Sequence, residues 1–280
     1  MQPVRRRAVL AVLLAGGVGA ATAAPGARVV SLGGGVTEIV HALGAGSLLV
    51  GTDRSSVYPE SARQLPQVGY YRSFSVEGVA SLRPDLVLAS DQAGPRESLQ
   101  QLQRLGMRVV VLPSAPTLDA LAQRVMGVAV ALQREAAGRA LAEDLRQQVA
   151  RLRATPPPRA ALRVLLLSSH TGRLQAAGSG TAADAMLRLA GAENVFAAQH
   201  SYKPVAPEAV AALRPEAIVT TASSVAAAGG LEGFASQPGV ALTPAARARR
   251  IVVMDELLLL GFGPRLPQAL RQLQAGLAQP

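Results

Sequence analysis

The chain contains 280 residues, 49% of them hydrophobic, and its 28 basic and 18 acidic side chains give a formal charge of +10. This length and apolar fraction exclude a disordered chain and allow one large or two medium domains with a substantial core. The lack of cysteine excludes disulfides, Cys-ligated zinc, iron–sulfur clusters and a lipid-modified cysteine. The basic excess is almost entirely scattered arginine without interleaved aromatics, so we expect no nucleic-acid partner.

Residues 1–24 are typical of a secretory signal peptide. Three arginines at 5–7 precede an apolar run at 8–15, and the small residues Ala21 and Ala23 fit a cleavage site. The apolar run is too short to span a bilayer. Removal of this peptide takes away three arginines and no acid, which lowers the formal charge from +10 to +7. We expect a periplasmic protein, exported by the general secretory or the twin-arginine route.

Seven short apolar runs bounded by turn residues predict buried parallel strands that alternate with helices. They lie at residues 28–32, 48–51, 85–89, 108–112, 163–168, 217–221 and 250–254. Apolar residues at helical spacing predict one long helix over 118–154, which ends before three prolines at 156–158. We therefore predict an α/β fold of two similar α/β lobes joined by one long backbone helix, with the ligand in the inter-lobe cleft. The predicted parts are an N-terminal lobe (25–116), a linking helix (117–155) and a C-terminal lobe (156–280).

An internal repeat supports two lobes that are built alike. Residues 75–85 and 206–216 share a capped helix with an acid in its first turn, a Leu-Arg-Pro stop, a second acid and an apolar strand. The first-turn acids are Glu77 and Glu208. They either complement the positive end of their own helix or form a matched docking pair for basic sockets on a two-fold symmetric partner.

Several motifs together resemble the helical-backbone periplasmic binding proteins of ABC importers, the class that serves cobalamin, ferric siderophores and haem. The motifs are RVVSL with VTEIV and ALGAG near the N-terminus, LRPDLV at 82–87, the long helix and the repeated lobe. Within that class the chain most resembles the haem-binding branch, through LPQVGYYR at 65–72, SVEG at 75–78, SH at 169–170, residues 176–186, YKP at 202–204, LTPA at 242–245 and LLGFGPR at 259–265. The match covers nearly all of the mature chain.

This resemblance implies a function in haem uptake. The protein would capture ferric haem in the periplasm and deliver it to an ABC transporter permease at the inner membrane, docking through Glu77 and Glu208. It would act as a monomer, without enzymatic activity or a catalytic cofactor. Whether one or two haems bind stays open.

Tyr70 is the candidate axial ligand of the haem iron. Ferric iron is a hard centre, for which a tyrosinate oxygen is a good ligand. Since tyrosine titrates near pH 10, ligation at neutral pH needs the charge of the iron and a nearby cation. Arg72 lies two residues on and shares a face with Tyr70 if the segment is extended. The resemblance implies the same pair, with the arginine bonded to the tyrosine oxygen. In an extended segment Tyr71 would point the opposite way, and we expect it to pack or to form a pocket wall.

Three further residues are candidates for the cleft. His170 follows the predicted strand 163–168 at its carboxyl end, where ligand-binding loops of α/β lobes gather. The resemblance implies that a histidine there serves a second haem or closes over the first, and a purely local role stays open. Tyr202 is expected to line the cleft, and Arg265 either meets a haem propionate or caps its lobe.

Two kinds of alternative remain. Within the same class, the alternative ligands are a ferric siderophore and a corrinoid. A corrinoid needs a pocket rich in aromatics, so it is the poorer fit to a chain with four tyrosines, four phenylalanines and no tryptophan. In a different class, an exported α/β hydrolase would use Ser168, Ser169 and His170 as nucleophile and base. The sequence has no GxSxG elbow, and two lobes leave no single sheet on which to build a triad.

Overall fold

The computed structural model describes residues 27–154, 161–169 and 173–279. The predicted signal peptide, the prolines at 156–158 and His170 lie outside the described residues. All seven predicted strands are present, each within one residue of its predicted bounds. The α/β class is therefore confirmed.

The N-terminal lobe is built on a parallel sheet. Its strands and helices are β1 (Val29–Leu32), α1 (Gly34–Ala42), β2 (Leu49–Gly51), α2 (Glu60–Arg63), β3 (Gly69–Tyr70), β4 (Ser73–Phe74), α3 (Val76–Ser81), β5 (Leu86–Ser90), α4 (Arg96–Arg104) and β6 (Arg108–Leu112). The parallel order is β2-β1-β5-β6. Every residue of the central strands β1 and β5 is buried, which explains their continuous apolar sequence. The strands β3 and β4 form a separate antiparallel hairpin that was not predicted.

The linking segment forms two helices, so the prediction of one helix over 118–154 is wrong in its extent. Helix α5 runs over Leu118–Ala131 and the 20-residue helix α6 over Glu135–Ala154. Between them Gln133 has a φ of 56°, in the left-handed region that ends a helix. Helix α5 packs against α1 and β6, whereas α6 packs against α5 and a helix of the second lobe. The long backbone helix is α6 alone.

The C-terminal lobe has a mixed sheet. Its elements are β7 (Arg163–Ser168), β8 (Gln175–Ala177), α7 (Ala182–Leu189), β9 (Glu193–Asn194), β10 (Tyr202–Pro204), α8 (Pro207–Ala212), β11 (Ala217–Thr221), α9 (Ala222–Ala227), α10 (Leu231–Ala235), α11 (Pro244–Arg247), β12 (Ile251–Met254), α12 (Glu256–Leu260) and α13 (Leu266–Ala278). The sheet order is β10-β8-β7-β11-β12, and β9 also pairs with β7. Strands β7, β9, β11 and β12 are parallel, whereas β8 and β10 add an antiparallel edge that was not predicted.

The internal repeat is confirmed in three dimensions. Helices α3 and α8 each have six residues, and the arginine of each Leu-Arg-Pro stop has a φ of 46°. The acid after each proline accepts a hydrogen bond from the backbone N–H of an arginine at the start of the neighbouring strand. Asp85 accepts from Arg28 at 2.8 Å, and Glu216 accepts from Arg163 at 3.0 Å. The same sequence pattern therefore ends a helix and aligns two parallel strands in both lobes.

One apolar core runs through both lobes along the linking helices. It includes Val125 of α5, Val149 of α6 and Leu270 of α13, each fully buried. No helix in the described part of the chain is long and apolar enough to cross a membrane.

A second connection between the lobes is made by residues 257–265, which pack on the start of α1. A Cβ on Gly35 would lie 2.8 Å from the Gly261 carbonyl oxygen, so only glycine allows this approach. The buried Arg124 of α5 donates to the carbonyl oxygen of Phe262 at 2.5 Å and to that of Pro113 at 3.1 Å. The lobes are thus held together by the backbone helix and by this contact.

Candidate ligand-binding site between the lobes

The predicted ligand residue Tyr70 lies on the β3–β4 hairpin, and its side chain is 37% exposed. The loop after β2, residues 53–58, holds this hairpin: the Arg54 N–H donates to the Gly69 carbonyl at 2.8 Å. The same loop reaches the second lobe, because the Arg265 guanidinium stacks on the Tyr58 ring at 3.7 Å from its centroid. These contacts place the hairpin at the boundary between the lobes.

Arg72 is bonded to the neighbouring tyrosine instead of to Tyr70 as predicted. Its Nε donates to the Tyr71 hydroxyl at 2.9 Å, and Nη2 donates to Gln92 Oε1. The prediction assumed an extended segment, but the chain reverses at Tyr71 and Arg72, so the alternation of a strand does not apply across them. The reversal also brings the two tyrosine rings together, edge to face at 4.7 Å, so Tyr71 does not point away from Tyr70.

The phenol of Tyr70 is held in its protonated form in the ligand-free protein. Burial raises the pKa of Tyr70 to about 12, and the Tyr71 hydroxyl and the charge of Asp53 act in the same direction. The positive charge of Arg72 lowers this pKa, as the sequence argument required, but it is outweighed. A metal bound at this oxygen must therefore displace a proton.

Tyr202 faces this region from the C-terminal lobe. It is half-buried on the edge strand β10, and burial raises its pKa to about 12. Hydrogen bonding with the backbone of Ala183 and the Thr181 side chain lowers this pKa, and so does the positive charge of Arg72 on the opposite lobe. The charge of Arg72 thus reaches Tyr202 across the lobe boundary, and the role of Tyr202 in lining a ligand cleft stays a prediction.

Arg265 forms an ion pair across the lobes. Its Nε and Nη2 both donate to Glu38 Oε1 of α1, at 3.1 and 2.5 Å. Burial raises the pKa of Glu38 above its ordinary value despite this pairing. The guanidinium is thus engaged with Glu38 and Tyr58 of the opposite lobe, so it bridges the lobes instead of capping its own, and a contact with a propionate stays a prediction.

The remaining predicted residues are placed as follows. Glu77 and Glu208 are exposed in the first turns of α3 and α8. His170 lies outside the described residues. Ser168 and Ser169, which the hydrolase alternative requires, are only 2% and 4% exposed, so substrate in solvent has little access to them.

Four residues near the site were missed by the sequence analysis: Glu38, Asp53, Tyr58 and Gln92. The signal that was available is the run DRSSVY at 53–58, a polar loop that follows the carboxyl end of the buried strand β2.

A separate cavity of about 260 Å³ lies between the start of α5 and α7, and none of the site residues named above lines it.

Comparison with known proteins defines the class. The model of the periplasmic binding protein family matches residues 29–258, and the chain belongs to this family. Its members bind a ligand and deliver it to ABC transporter permeases, and the family is not one of enzymes.

Similar structures and relatives carry two different ligand names. The periplasmic heme-binding protein RhuT from Roseiflexus sp. RS-1 is 39% identical with a TM-score of 0.85, covering 90% of this chain and 98% of that one. The periplasmic heme-binding protein BhuT in complex with two hemes is 40% identical with a TM-score of 0.84, covering 90% and 97%. A vitamin B12-binding protein of Pectobacterium carotovorum is 31% identical over 195 residues, which is 69% of this chain and 70% of that protein.

Proposed function

We propose that this protein captures ferric haem in the periplasm and delivers it to the permease of an ABC importer. The observation that carries the proposal is Tyr70: a partly exposed phenol on a fixed hairpin at the lobe boundary. The porphyrin occupies four coordination positions of the iron, so the protein needs to supply only one or two axial ligands. The similarity to RhuT and BhuT supports haem as the ligand.

Tyr70 binds the iron as a tyrosinate. Because its pKa in the ligand-free protein is about 12, ligation at neutral pH releases one proton, driven by the charge of Fe(III). Arg72, already close enough to lower the pKa of Tyr70, stabilises the resulting anion. The positive charge of the chain favours the two haem propionates.

A corrinoid is the second candidate, and the vitamin B12-binding relatives favour it. The chemistry of Tyr70 distinguishes the two candidate ligands. A six-coordinate corrinoid does not need a deprotonated phenol, whereas ferric haem requires an axial ligand such as Tyr70. Titration of the mature protein with hemin and, in parallel, with cyanocobalamin discriminates between them.

The test is visible absorption spectroscopy of the wild type, Tyr70→Phe and the matched control Tyr71→Phe. Loss of the hydroxyl of Tyr70 should abolish the tyrosinate-type ferric spectrum, while Tyr71→Phe should retain it, because only the hydroxyl next to the proposed ligand is removed. Saturable binding of cyanocobalamin without saturable binding of hemin would refute the proposal. Loss of the spectrum in Tyr71→Phe alone would transfer the ligand role to Tyr71.

Delivery requires a docking surface, for which we assign Glu77 and Glu208. Both carboxylates are exposed on equivalent helices of the two lobes. The Glu77 carboxylate also accepts the Ser75 hydroxyl at 3.2 Å, whereas the helix of Glu208 has no side-chain cap. A monomer with one acid on each lobe matches two basic sockets on a two-fold symmetric permease. The protein acts as a binding protein without enzymatic activity.

A further inference from the structure

We propose that Asp53 is a positioning residue of the ligand site, which fixes the Tyr70 hairpin to the start of α1 and thereby sets the place of the phenol. This inference rests on the proposed role of Tyr70 as the ligand. Asp53 was not among the residues singled out in the sequence, and its side chain lies beneath the hairpin rather than in the cleft.

The Asp53 side chain is fully buried and accepts five hydrogen bonds. Oδ1 accepts from the Gly33 N–H at 2.8 Å and from the Ser56 hydroxyl at 3.0 Å. Oδ2 accepts from the backbone and hydroxyl of Ser55, at 2.9 and 2.7 Å, and from the Tyr71 N–H at 3.2 Å. All five partners are donors, which is the arrangement that a carboxylate satisfies.

These bonds join three segments that are distant in sequence. Gly33 directly precedes α1 and has a φ of 115°, and a Cβ there would lie 3.3 Å from the Cβ of Ser90. The glycine N–H therefore has a fixed direction, and it belongs to the positive end of α1, which stabilises a negative charge. The Gly33 N–H at the start of α1 thus fixes the Asp53 carboxylate, and the carboxylate in turn fixes the hairpin through the Tyr71 N–H.

The hairpin depends on these outside bonds for its position. Its strands have two residues each, too few for independent stability. The residues on both sides of Tyr70 are bonded to consecutive residues of the same loop: the Gly69 carbonyl to the Arg54 N–H, and the Tyr71 N–H to Asp53. A shift of Tyr70 would strain these two bonds and the one from the Gly94 N–H to the Tyr71 carbonyl oxygen at 2.9 Å.

The geometry and the charge of Asp53 affect ligand binding in opposite directions. Its charge raises the pKa of Tyr70 and so opposes loss of the phenol proton. If charge were its main effect, removal of the carboxylate would strengthen haem binding. If position is its main effect, removal weakens binding, because an axial ligand must lie at a defined distance from the iron.

The experiment compares Asp53→Ala with Asp53→Asn and the control Ser56→Ala. Asparagine keeps a carbonyl oxygen that can accept from the Tyr71 N–H, whereas alanine removes the link. Ser56→Ala removes hydroxyl bonds to Asp53 Oδ1 and Thr37 but leaves the link to the hairpin. The readouts are hemin affinity, the visible spectrum, and hydrogen exchange of the peptide that contains the Tyr71 N–H, measured without ligand.

We expect Asp53→Ala to lose about 10- to 100-fold in hemin affinity, the range for partners of metal ligands, and to exchange the Tyr71 N–H faster. Asp53→Asn should recover part of both, because its oxygen can accept from the Tyr71 N–H while its NH2 group faces the donors on the Gly33 side, and Ser56→Ala should change neither. Unchanged affinity and exchange in folded Asp53→Ala, or equal losses in the alanine and asparagine variants, would overturn the inference.

Two further arms keep the test decisive. If Asp53→Ala does not fold, Asp53→Ser replaces it, since the hydroxyl keeps a local acceptor for the loop but is too short to reach both Gly33 and Tyr71; faster exchange at Tyr71 supports the inference and unchanged exchange overturns it. Failure of the wild type to bind hemin overturns the proposed function instead, and the exchange measurement then still decides whether Asp53 fixes the hairpin.

Discussion

Replacement of Arg265 by leucine tests the contact between the lobes. The Arg265 and Glu38 side chains are 16% and 4% exposed, so their ion pair is largely desolvated. Breaking a buried pair by removing one partner costs about 3–5 kcal/mol, because the other charge stays buried without compensation. Loss of the cation–π contact with Tyr58 adds about 0.5–1 kcal/mol. Since Arg265 retains some solvent contact, we expect a total near the lower end, about 3–4 kcal/mol.

The assay is urea unfolding at neutral pH, supported by calorimetry. For a chain of this size about 1 kcal/mol corresponds to roughly 2–4 °C, so the midpoint of thermal unfolding should fall by roughly 6–16 °C. A double variant, Glu38→Leu with Arg265→Leu, should be less destabilised than Arg265→Leu alone, because it leaves no unpaired carboxylate.

The pH dependence of Arg265→Leu follows from the raised pKa of Glu38. Desolvation by burial is the largest cause, and it exceeds the opposing effect of Arg265. A carboxyl whose folded-state pKa is raised favours folding below its unfolded-state pKa, and this contribution is lost as pH rises through the folded-state pKa. Without Arg265 the pKa of Glu38 rises further, so the deficit relative to wild type should shrink toward about pH 5. A deficit below about 1 kcal/mol at neutral pH that does not change with pH would refute this account.

Three further predictions use other parts of the molecule. The double variant Glu77→Ala with Glu208→Ala should bind hemin as wild type does but fail to support transport; delivery at the normal rate would disprove the docking assignment. Burial raises the pKa of Tyr70 and Tyr202 to about 12, so in a pH titration their phenolate absorption should appear at a higher pH than that of an ordinary tyrosine. Tyr70→Phe should remove one of these two high-pH transitions. Both raised pKa values favour folding below about pH 10, and this stability should be lost between about pH 10 and about pH 12 in urea titrations. Gln133→Gly should stabilise the protein by about 1 kcal/mol, since glycine adopts the observed φ of 56° without strain, whereas Gln133→Ala should give no gain.

The strands were predictable because buried parallel strands are continuous apolar runs, and each run is closed by a turn signal in this sequence. The hairpin and the short strands β8, β9 and β10 were missed because two or three residues carry no periodicity. The break between α5 and α6 was missed for a different reason: the apolar spacing continues through Leu132, and the left-handed residue is Gln133 rather than a glycine.

The site was predictable only where chemistry and motif coincided. Tyr70 and Arg72 could be selected from the segment 65–72, but the bond from Arg72 to Tyr71 depends on a reversal that the sequence does not mark. The pair of Glu38 and Arg265 is separated by 227 residues, and Asp53 lies 20 residues from Gly33 and 18 from Tyr71. Such contacts depend on the packed lobes, and no local pattern predicts them.

The two connections between the lobes have different mechanical consequences. The freedom of a hinge at the ends of α6 is limited, because opening there also disturbs the apolar core that α6 shares with both lobes. The contact of residues 257–265 with α1 removes this freedom, since separation at that point breaks the ion pair of Arg265 and the bond from Arg124 to the Phe262 carbonyl. Wide opening therefore breaks a largely buried ion pair and a buried hydrogen bond, although both charges of the pair then regain hydration. Under the proposed function, a flat ligand that enters edge-on needs no such opening, and we expect only small motions of the lobes on binding.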